Sequence, residues 1–459
     1  MKESRYNIFV EGDDSVYAVN LLSRTALNLS HDAYQTYLDL ARLDLDDSTD
    51  LELQRFKKTL QDALFLLEDD FDELGYIRYR SHQERFNTRD LGLVITPTLG
   101  CNFDCHYCFE DKTDTDLNRN AQNRLAQLVA TNIVGRESLS VQWFGGEPLK
   151  ALDVIENLSR QLIPIASAAG AGYAATLISN GYLMTRDVSV LLNELQVKEV
   201  QITLDGDRYL HDRTRYIRPG KGSFDVILEN IKDASDLLSV KVRVHVAPYN
   251  IESVRALIET LANEGMAEHI TELYFAPLFN YRANRPDQQA YAVDGKRFMD
   301  SESFSRMQID LLNRAYELGF SPADFLGASY GICTAVRENT LVIDPHGNVM
   351  KCYKDVGVGS EAIGTLKDGL TPAKNLLKWM DVPIPRDDEC RECRVLPVCL
   401  GGCSKQWQEG ASKSVICTPL KFNIDERIRM YFEHEGWETA PRKRTPEACK
   451  TYSNRKQSF

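Results

Sequence analysis

The chain has 459 residues, of which 43% are hydrophobic and 26% are charged, and its formal net charge at pH 7 is −13. This length allows two or three domains with a substantial core, and the negative charge argues against nucleic acid as a partner. No apolar run is long enough to span a membrane, and residues 1–6 lack the apolar core of a signal peptide. We therefore expect a cytoplasmic protein without a membrane partner.

Residues 1–90 are predicted to form a separate N-terminal domain. Short strands are expected over 6–10 and 16–29, and amphipathic helices are expected over 31–42 and 51–67. A small hairpin with helices is compatible with a winged-helix-like unit, and it is compatible with many other small folds as well.

Residues 91–318 alternate between strands and helices. Strands are predicted over 91–97, 139–144, 173–179, 199–204, 240–246 and 270–276. Helices are predicted over 117–134, 151–168, 185–195, 224–238, 251–263 and 303–318. Such α/β alternation builds a parallel sheet with right-handed crossovers. Six units predict a partial (β/α)6 barrel of the TIM type, with its chemistry at the carboxyl ends of the strands.

After about residue 320 the alternation stops. A cysteine-rich, irregular domain is predicted over 319–425, followed by a polar tail over 426–459. The chain has eleven cysteines, which is many for a compartment in which disulfides do not persist. Ten of them fall into two closely spaced sets, and only Cys449 stands apart. This spacing indicates metal ligation rather than a scatter of buried cysteines.

The first cysteine set is a C-x3-C-x2-C motif on the loop after the first predicted strand. Cys101, Cys105 and Cys108 can ligate three irons of a [4Fe–4S] cluster, which leaves the fourth iron open for a substrate. A zinc site and a chance pattern are the alternatives for this motif taken alone.

A second motif, residues 144–148, follows the second predicted strand. Gly145 and Gly146 allow close approach of a ligand to the backbone, and Glu147 can accept a hydrogen bond from an ammonium group. Taken alone, such a turn could also be purely structural.

Together these two motifs resemble the radical S-adenosylmethionine (SAM) superfamily over about residues 91–420. In that family the open iron binds the amino and carboxylate groups of SAM, which is split into methionine and a 5′-deoxyadenosyl radical. The resemblance implies that the motif containing Glu147 holds the methionine amino group. Further SAM-binding candidates by this resemblance are Tyr107, Ser179, Asn180, Thr203 and Arg215, with Arg218 as an alternative to Arg215. A surface salt bridge is the other interpretation of these two arginines.

The second cysteine set has the complete cysteine pattern of the SPASM domain, which it resembles. Its members are Cys333, Cys352, Cys390, Cys393, Cys399, Cys403 and Cys417. SPASM domains bind auxiliary [4Fe–4S] clusters, whereas a zinc ribbon uses only four ligands.

The resemblance to SPASM domains implies how these seven cysteines are shared between two clusters. Cys333, Cys352 and Cys403 would hold the first auxiliary cluster. The second would be held by Cys390, Cys393, Cys399 and Cys417, which gives three [4Fe–4S] clusters in all. Some SPASM proteins have an eighth cysteine where this chain has Gly327. The first auxiliary cluster would therefore keep an open iron, unless Cys449 or another group closes it.

SPASM enzymes with an extra N-terminal domain resemble maturases of ribosomally made peptides (RiPPs). The resemblance implies an oxidoreductase that takes hydrogen from a precursor peptide and forms a thioether, C–C or C–O cross-link. The N-terminal domain would bind the leader of that peptide by strand addition, and the alternative is that it only caps the barrel. A reductant such as flavodoxin or ferredoxin would supply the electron.

Three alternatives to cross-linking remain open. Anaerobic sulfatase maturases, which form formylglycine, place a carboxylate base directly after the second SPASM cysteine. This chain has Tyr353 at that position and Asp355 two residues later, and both are candidate catalytic bases. Other peptide chemistry, such as epimerisation or excision, is the second alternative. A non-catalytic electron carrier is the third, but it would have no use for the motif containing Glu147.

Overall fold

The structure is a computed structural model that describes residues 1–42, 50–217, 221–279, 298–321, 326, 332–370 and 374–435. The chain divides into two compact units. The first combines Met1–Glu84 with Asp324–Ile332 and Pro383–Phe459, and the second combines Arg85–Ala323 with Cys333–Val382. Arg218, Gly327, Cys449 and residues 436–459 of the predicted tail lie outside the described residues. The domain limits expected from the sequence stay a prediction.

The N-terminal part of the first unit contains short strands and amphipathic helices. Its elements are β1 (Lys2–Glu3), β2 (Asn7–Glu11), β3 (Val16–Asn20), β4 (Thr25–Leu29), α1 (His31–Arg42), α2 (Leu51–Asp62), β5 (Leu66–Leu67) and α3 (Glu73–Arg85). Strands β2, β3 and β4 form an antiparallel sheet in that order, and β1 pairs with β5. Leu27 of β4, Tyr37 of α1 and Leu60 of α2 pack in one buried cluster. Burial of these apolar side chains holds the sheet and the two helices together.

Helix α3 was not predicted from the sequence. Its side chains do not follow a clear helical period, so the usual signal is weak. Contacts with distant residues fix its first turn instead. The Glu73 carboxylate accepts hydrogen bonds from the Ser4 hydroxyl at 2.6 Å and from the Arg5 backbone N–H at 3.2 Å.

The second unit contains the predicted alternation of strands and helices. The strands are β6 (Asp90–Ile95), β7 (Ser138–Trp143), β8 (Gly172–Ser179), β9 (Val197–Leu204), β10 (Ser239–Val246) and β11 (Glu272–Pro277). The helices are α4 (Arg119–Asn132), α5 (Leu152–Ala168), α6 (Arg186–Glu194), α7 (Arg208–Thr214), α8 (Phe224–Ala234), α9 (Ile251–Asn263) and α10 (Ser301–Glu317). All neighbouring pairs from β6 to β11 are parallel. The predicted α/β partial barrel is therefore confirmed, and α7 is a short addition to it.

The sheet of the second unit contains one more parallel strand than the six units predicted. Strand β12 (Thr340–Ile343) pairs in parallel with β6, next to β13 (Asn348–Met350), β14 (Gly364–Thr365) and β15 (Gly369–Leu370). Helix α11 (Lys374–Met380) follows. The sequence analysis expected irregular chain after residue 320. All four residues of β12 are buried, so this short strand has no alternation that a sequence pattern could show.

The cysteine-rich part of the first unit consists mainly of short helices joined by turns. These are α12 (Asp388–Arg391), α13 (Leu396–Cys399), α14 (Ser404–Gln408) and α15 (Lys413–Ile416), followed by the longer α16 (Leu420–Met430). Cysteines lie within or beside the four short helices. Within the described ranges, no helix has both the length and the apolar character needed to cross a membrane.

Candidate active site

A cavity of about 490 Å³ opens at the carboxyl edge of the parallel sheet. This volume falls in the range of ~300–1,000 Å³ that is typical of small-molecule sites. The predicted cluster-binding and SAM-binding residues that line it are Cys101, Cys105, Tyr107, Cys108, Gly145, Gly146, Ser179, Asn180, Thr203 and Arg215. The structure thus brings together residues that lie more than 100 positions apart in the sequence.

The glycine turn after β7 packs directly against the loop that leads to Cys101. The backbone N–H of Gly146 donates to the carbonyl of Thr98 at 3.3 Å, and that of Glu147 donates to the carbonyl of Gly100 at 2.9 Å. A Cβ atom on Gly146 would lie only 2.4 Å from the Gly100 carbonyl oxygen. Real Cβ atoms do not come so close to a backbone oxygen, so this contact requires glycine.

The three thiols of the cysteine loop suit iron ligation. Burial raises the pKa of Cys101 to about 12 and that of Cys108 to about 11, so both are protonated at neutral pH unless a metal replaces the proton. Among the described residues, no three His, Cys, Asp or Glu side chains are close enough to share one metal ion. In a [4Fe–4S] cluster each thiolate binds a different iron, so its ligands lie farther apart. Three sulfur donors on one cavity wall therefore fit such a cluster.

Glu147 is fully buried and is not among the residues that line the cavity. Its carboxylate accepts hydrogen bonds from the Ser179 hydroxyl at 2.9 Å, the Asn180 backbone N–H at 2.7 Å and the Leu149 backbone N–H at 3.1 Å. Burial raises its pKa, and these hydrogen bonds oppose that rise. Glu147 thus ties the end of β7 to the end of β8, and its contact with SAM stays a prediction.

A buried polar network lies where the cysteine loop meets the ends of β9 and β10. The Tyr107 hydroxyl donates to the Asp205 carboxylate and accepts from Arg215, which also lies 3.5 Å from that carboxylate. His245 Nδ1 is 3.0 Å from the other oxygen of Asp205. Burial tends to raise the pKa of Asp205, but His245, Arg215 and Tyr107 hold it well below its usual range. Asp205 is therefore an anion that joins the cysteine loop to the barrel.

Several polar residues that line the cavity were not predicted from the sequence. They are Gln142, Gln201, Arg243, His245 and Tyr274. Arg243 and His245 alternate along β10 with the buried valines 242, 244 and 246. Polar side chains at every second position of an interior strand were a usable signal for a cavity wall. Burial and Arg243 lower the pKa of His245 to about 4, so its imidazole is neutral.

The two candidate bases occupy different surroundings. Tyr353 lines the cavity, and its ring centre is 5.3 Å from that of Phe144. Asp355 is 2% exposed and is not among the lining residues. Cys352, between β13 and this turn, is buried, and burial raises the pKa of its thiol. Of the two candidates, Tyr353 is the one placed where a bound substrate could reach it.

Four cysteines of the second set surround one smaller cavity in the first unit. Cys390, Cys393, Cys399 and Cys417 line it together with Lys413 and Lys421. These are the four residues that the sequence analysis assigned to the second auxiliary cluster. Four sulfur donors around one cavity fit a fully ligated [4Fe–4S] cluster. Cys403 is not among the lining residues, while Cys333 and Cys352 belong to the second unit.

Residues 95–261 match the family model of the Radical SAM superfamily. The chain contains a radical SAM domain. It is an enzyme of that superfamily, whose members bind a [4Fe–4S] cluster and SAM. The matched residues include the cysteine loop, the glycine turn and strands β7 to β10 of the cavity wall.

Two relatives of this radical SAM enzyme cover most of its length. It is 21% identical to the radical SAM cyclopropyl synthase TigE of Paramaledivibacter caminithermalis, over 86% of this chain and 83% of TigE. It is 22% identical to the cysteine-type anaerobic sulfatase-maturating enzyme of Clostridium novyi, over 74% of this chain and 96% of that protein.

A solved structure, native anSMEcpe with bound AdoMet and the Cp18Cys peptide, shares the fold. Its TM-score is 0.59 at 18% sequence identity, and the match covers 75% of this chain and 97% of the other.

Proposed function

We propose that this enzyme is a peptide maturase that forms a cross-link within a ribosomally made precursor peptide. The observation that carries the proposal is the single cavity that joins the cysteine loop, the glycine turn and the polar strand ends. The seven-cysteine pattern downstream would add the auxiliary clusters that such chemistry uses. Similarity to a cyclopropyl synthase over 86% of the chain favours a C–C bond among the three kinds of cross-link.

Each group that leaves the peptide needs an acceptor. Forming one bond with net loss of two hydrogens releases one hydrogen atom, one proton and one electron. Cys101, Cys105 and Cys108 would hold the [4Fe–4S] cluster, which with SAM bound would supply the 5′-deoxyadenosyl radical that takes the hydrogen atom. A basic side chain in the cavity would accept the proton, and an auxiliary cluster held by cysteines of the second set would accept the electron.

Different residues around the cavity would bind different parts of SAM. The backbone of Gly145 and Gly146 allows the methionine end to lie close to the chain. The buried guanidinium of Arg215, held by Tyr107 and Asp205, is suited to the SAM carboxylate, because it is already oriented before SAM binds. Ser179, Asn180 and Thr203 provide short polar groups for the ribose, and Glu147 keeps the first two in place.

Two side chains can accept the proton. Tyr353, which would have to act as its phenolate, lines the cavity at the position expected from the sequence, and His245 lines it as a neutral imidazole. With Nδ1–H directed to Asp205, His245 keeps the lone pair of Nε2 as an acceptor. Asp355 is the weaker candidate because it is buried away from the cavity lining.

The auxiliary clusters are assigned to the SPASM cysteines. The second cluster would be held by Cys390, Cys393, Cys399 and Cys417, which line one cavity. The first would be held by Cys333, Cys352 and Cys403, as the sequence pattern implies. A protein reductant such as flavodoxin or ferredoxin would deliver the electron that starts each turnover.

The N-terminal sheet is the proposed site for the leader of the precursor peptide. In the described part of this sheet β2 and β4 are the outer strands, and an outer strand can pair with an added peptide strand. Residues 1–84 belong to the same compact unit as the cysteine-rich residues after 383. Deleting residues 1–84 would disturb that unit. Leader binding is therefore better tested by removing the leader from the peptide than by shortening the enzyme.

Formylglycine formation is the competing function, supported by the similarity to the Clostridium novyi maturase. Tyr353 replaces the carboxylate that such enzymes place after the second SPASM cysteine, and Asp355 is not in the cavity wall. Both observations favour cross-linking over formylglycine.

The mass of the product tests the proposed function. Anaerobically reconstituted enzyme would receive SAM, a reductant and a candidate precursor peptide, with and without its leader. We expect the full precursor to lose two hydrogens and to resist fragmentation across a few residues, whereas the leaderless peptide reacts at least ~10-fold more slowly. His245→Gln and Tyr353→Phe identify the base, because loss of the base lowers conversion while SAM cleavage continues.

Two results of this assay would contradict the proposal. Conversion of a serine or cysteine to formylglycine in a sulfatase peptide would show that the enzyme has the competing function. If the precursor stayed unchanged while 5′-deoxyadenosine continued to form, the tested peptide would not be the substrate.

A further inference from the structure

Two lysines line the small cavity in the first unit and have no role in the proposed reaction. The same cavity is lined by Cys390, Cys393, Cys399 and Cys417. Lys413 Nζ lies 3.1 Å from the sulfur of Cys390, within hydrogen-bond distance for a sulfur acceptor. Lys421 Nζ lies 4.0 Å from the sulfur of Cys417. Both lysines line the same cavity as the four cysteines. Two ammonium groups thus face the sulfur atoms from neighbouring elements, Lys413 from α15 and Lys421 from α16.

Asp387 fixes the position of Lys413 relative to Cys390. Its Oδ1 accepts a hydrogen bond from the Cys390 backbone N–H at 2.9 Å, and the same oxygen accepts from Lys413 Nζ at 2.9 Å. One carboxylate therefore holds both the backbone of the cysteine and the ammonium that faces its sulfur. Glu389 forms a similar ion pair with Lys421. The Lys413 and Lys421 side chains are 32% and 28% exposed, so they are more sheltered than ordinary surface lysines.

A lysine so placed acts on a ligated cluster through its charge and its hydrogen bond. A [4Fe–4S] cluster with four thiolate ligands is an anion, and one-electron reduction adds a further negative charge. Hydrogen bonds to the ligand sulfur atoms and nearby positive charge stabilise the reduced form, and both raise the reduction potential. The effect should be larger for Lys413, which donates directly to sulfur, than for Lys421.

We propose that Lys413 sets the reduction potential of the second auxiliary cluster, raising it so that this cluster accepts the electron released on bond formation. Lys413 is a positioning residue in this role, since it acts on Cys390 and not on the peptide. The inference rests on the proposed binding of a cluster by these four cysteines. In the step concerned, the oxidised cluster gains one electron and the peptide-derived radical loses one electron and one proton.

The test measures the potentials of the auxiliary clusters by electron paramagnetic resonance during a redox titration. Cys101, Cys105 and Cys108 are replaced by alanine, so that the full-length protein keeps only its auxiliary clusters. We expect Lys413→Met to lower one of the two potentials, with at least a tenfold change in the ratio of oxidised to reduced cluster, which is about 59 mV for a one-electron couple. The other couple serves as an internal control and stays unchanged.

Matched variants separate the hydrogen bond from a general effect of charge. Lys413→Arg keeps a cationic donor and should keep most of the potential, and Lys421→Met should shift the same couple by less. Lys58→Met removes an exposed lysine paired with Asp62 and should shift neither couple.

Three outcomes would overturn the proposal. The first is unchanged potentials in Lys413→Met at unchanged iron content. The second is an equal shift of both couples. The third is loss of the cluster's iron in both Lys413→Met and Lys413→Gln, because Lys413 would then be needed to hold the cluster. If the parent protein lacks a second auxiliary signal, the proposed cluster assignment fails instead, and iron analysis distinguishes this case.

Discussion

Replacing Cys101, Cys105 and Cys108 by alanine abolishes the formation of 5′-deoxyadenosine from SAM. The three thiols share one wall of the cavity, and burial keeps Cys101 and Cys108 protonated unless iron replaces the proton. Without them nothing at this site can hold the cluster that delivers the electron. Chromatography of anaerobic reactions with SAM and dithionite measures the product, which we expect to fall below detection.

A matched pair of cysteine substitutions in the other set serves as the control for this loss. Cys390→Ala with Cys393→Ala should remove the iron of one cluster and stop peptide cross-linking, while slow SAM cleavage without peptide continues. If the triple variant still forms 5′-deoxyadenosine, the assignment of the SAM-cleaving cluster to this loop is wrong.

Gly146→Ala lowers SAM cleavage by about ten- to a hundredfold, because there is no room for a methyl group between the glycine turn and the cysteine loop. The added Cβ would lie 2.4 Å from the carbonyl oxygen of Gly100 and 2.6 Å from that of Leu99, so the backbone has to move. Overpacking of this kind costs about 1–3 kcal/mol, and the displaced turn is the one that approaches SAM. Steady-state 5′-deoxyadenosine formation and the dissociation constant of SAM measure the effect.

Gly172→Ala is the matched control, because its new Cβ would meet its nearest neighbour, the Glu137 carbonyl oxygen, at an ordinary 3.7 Å. We expect this variant to behave like the unmodified enzyme. Equal activity of the Gly146 and Gly172 variants would mean that the contact between the glycine turn and the cysteine loop has no role in SAM binding.

Local patterns explain why much of the fold and of the site was predictable. Alternating strands and helices leave a periodic signal within each segment, and the spacing of Cys101, Cys105 and Cys108 is confined to eight residues. The carboxyl ends of parallel strands lie at one edge, so motifs that follow successive strands had to meet there.

Features that depend on distant contacts were not predictable from such patterns. Strand β12 is identified by its pairing with β6, which lies about 250 residues earlier. The interaction of Asp205 with His245 joins the turn after β9 to strand β10, and no local spacing indicates it. The Glu147 carboxylate accepts hydrogen bonds from the Ser179 hydroxyl and the Asn180 backbone N–H, and its motif does not indicate these partners. Its contact with SAM stays a prediction.

The central claim is that a radical formed in this cavity takes hydrogen from a bound peptide, and isotope transfer tests it most directly. A precursor peptide deuterated at its cross-linked residues would react with unlabelled SAM, and the mass of the 5′-deoxyadenosine would be measured. We expect 5′-deoxyadenosine to gain one deuterium in step with the formation of cross-linked peptide. The claim would be contradicted if cross-linked peptide formed while 5′-deoxyadenosine stayed unlabelled, after each residue of the peptide had been deuterated and tested as the hydrogen donor.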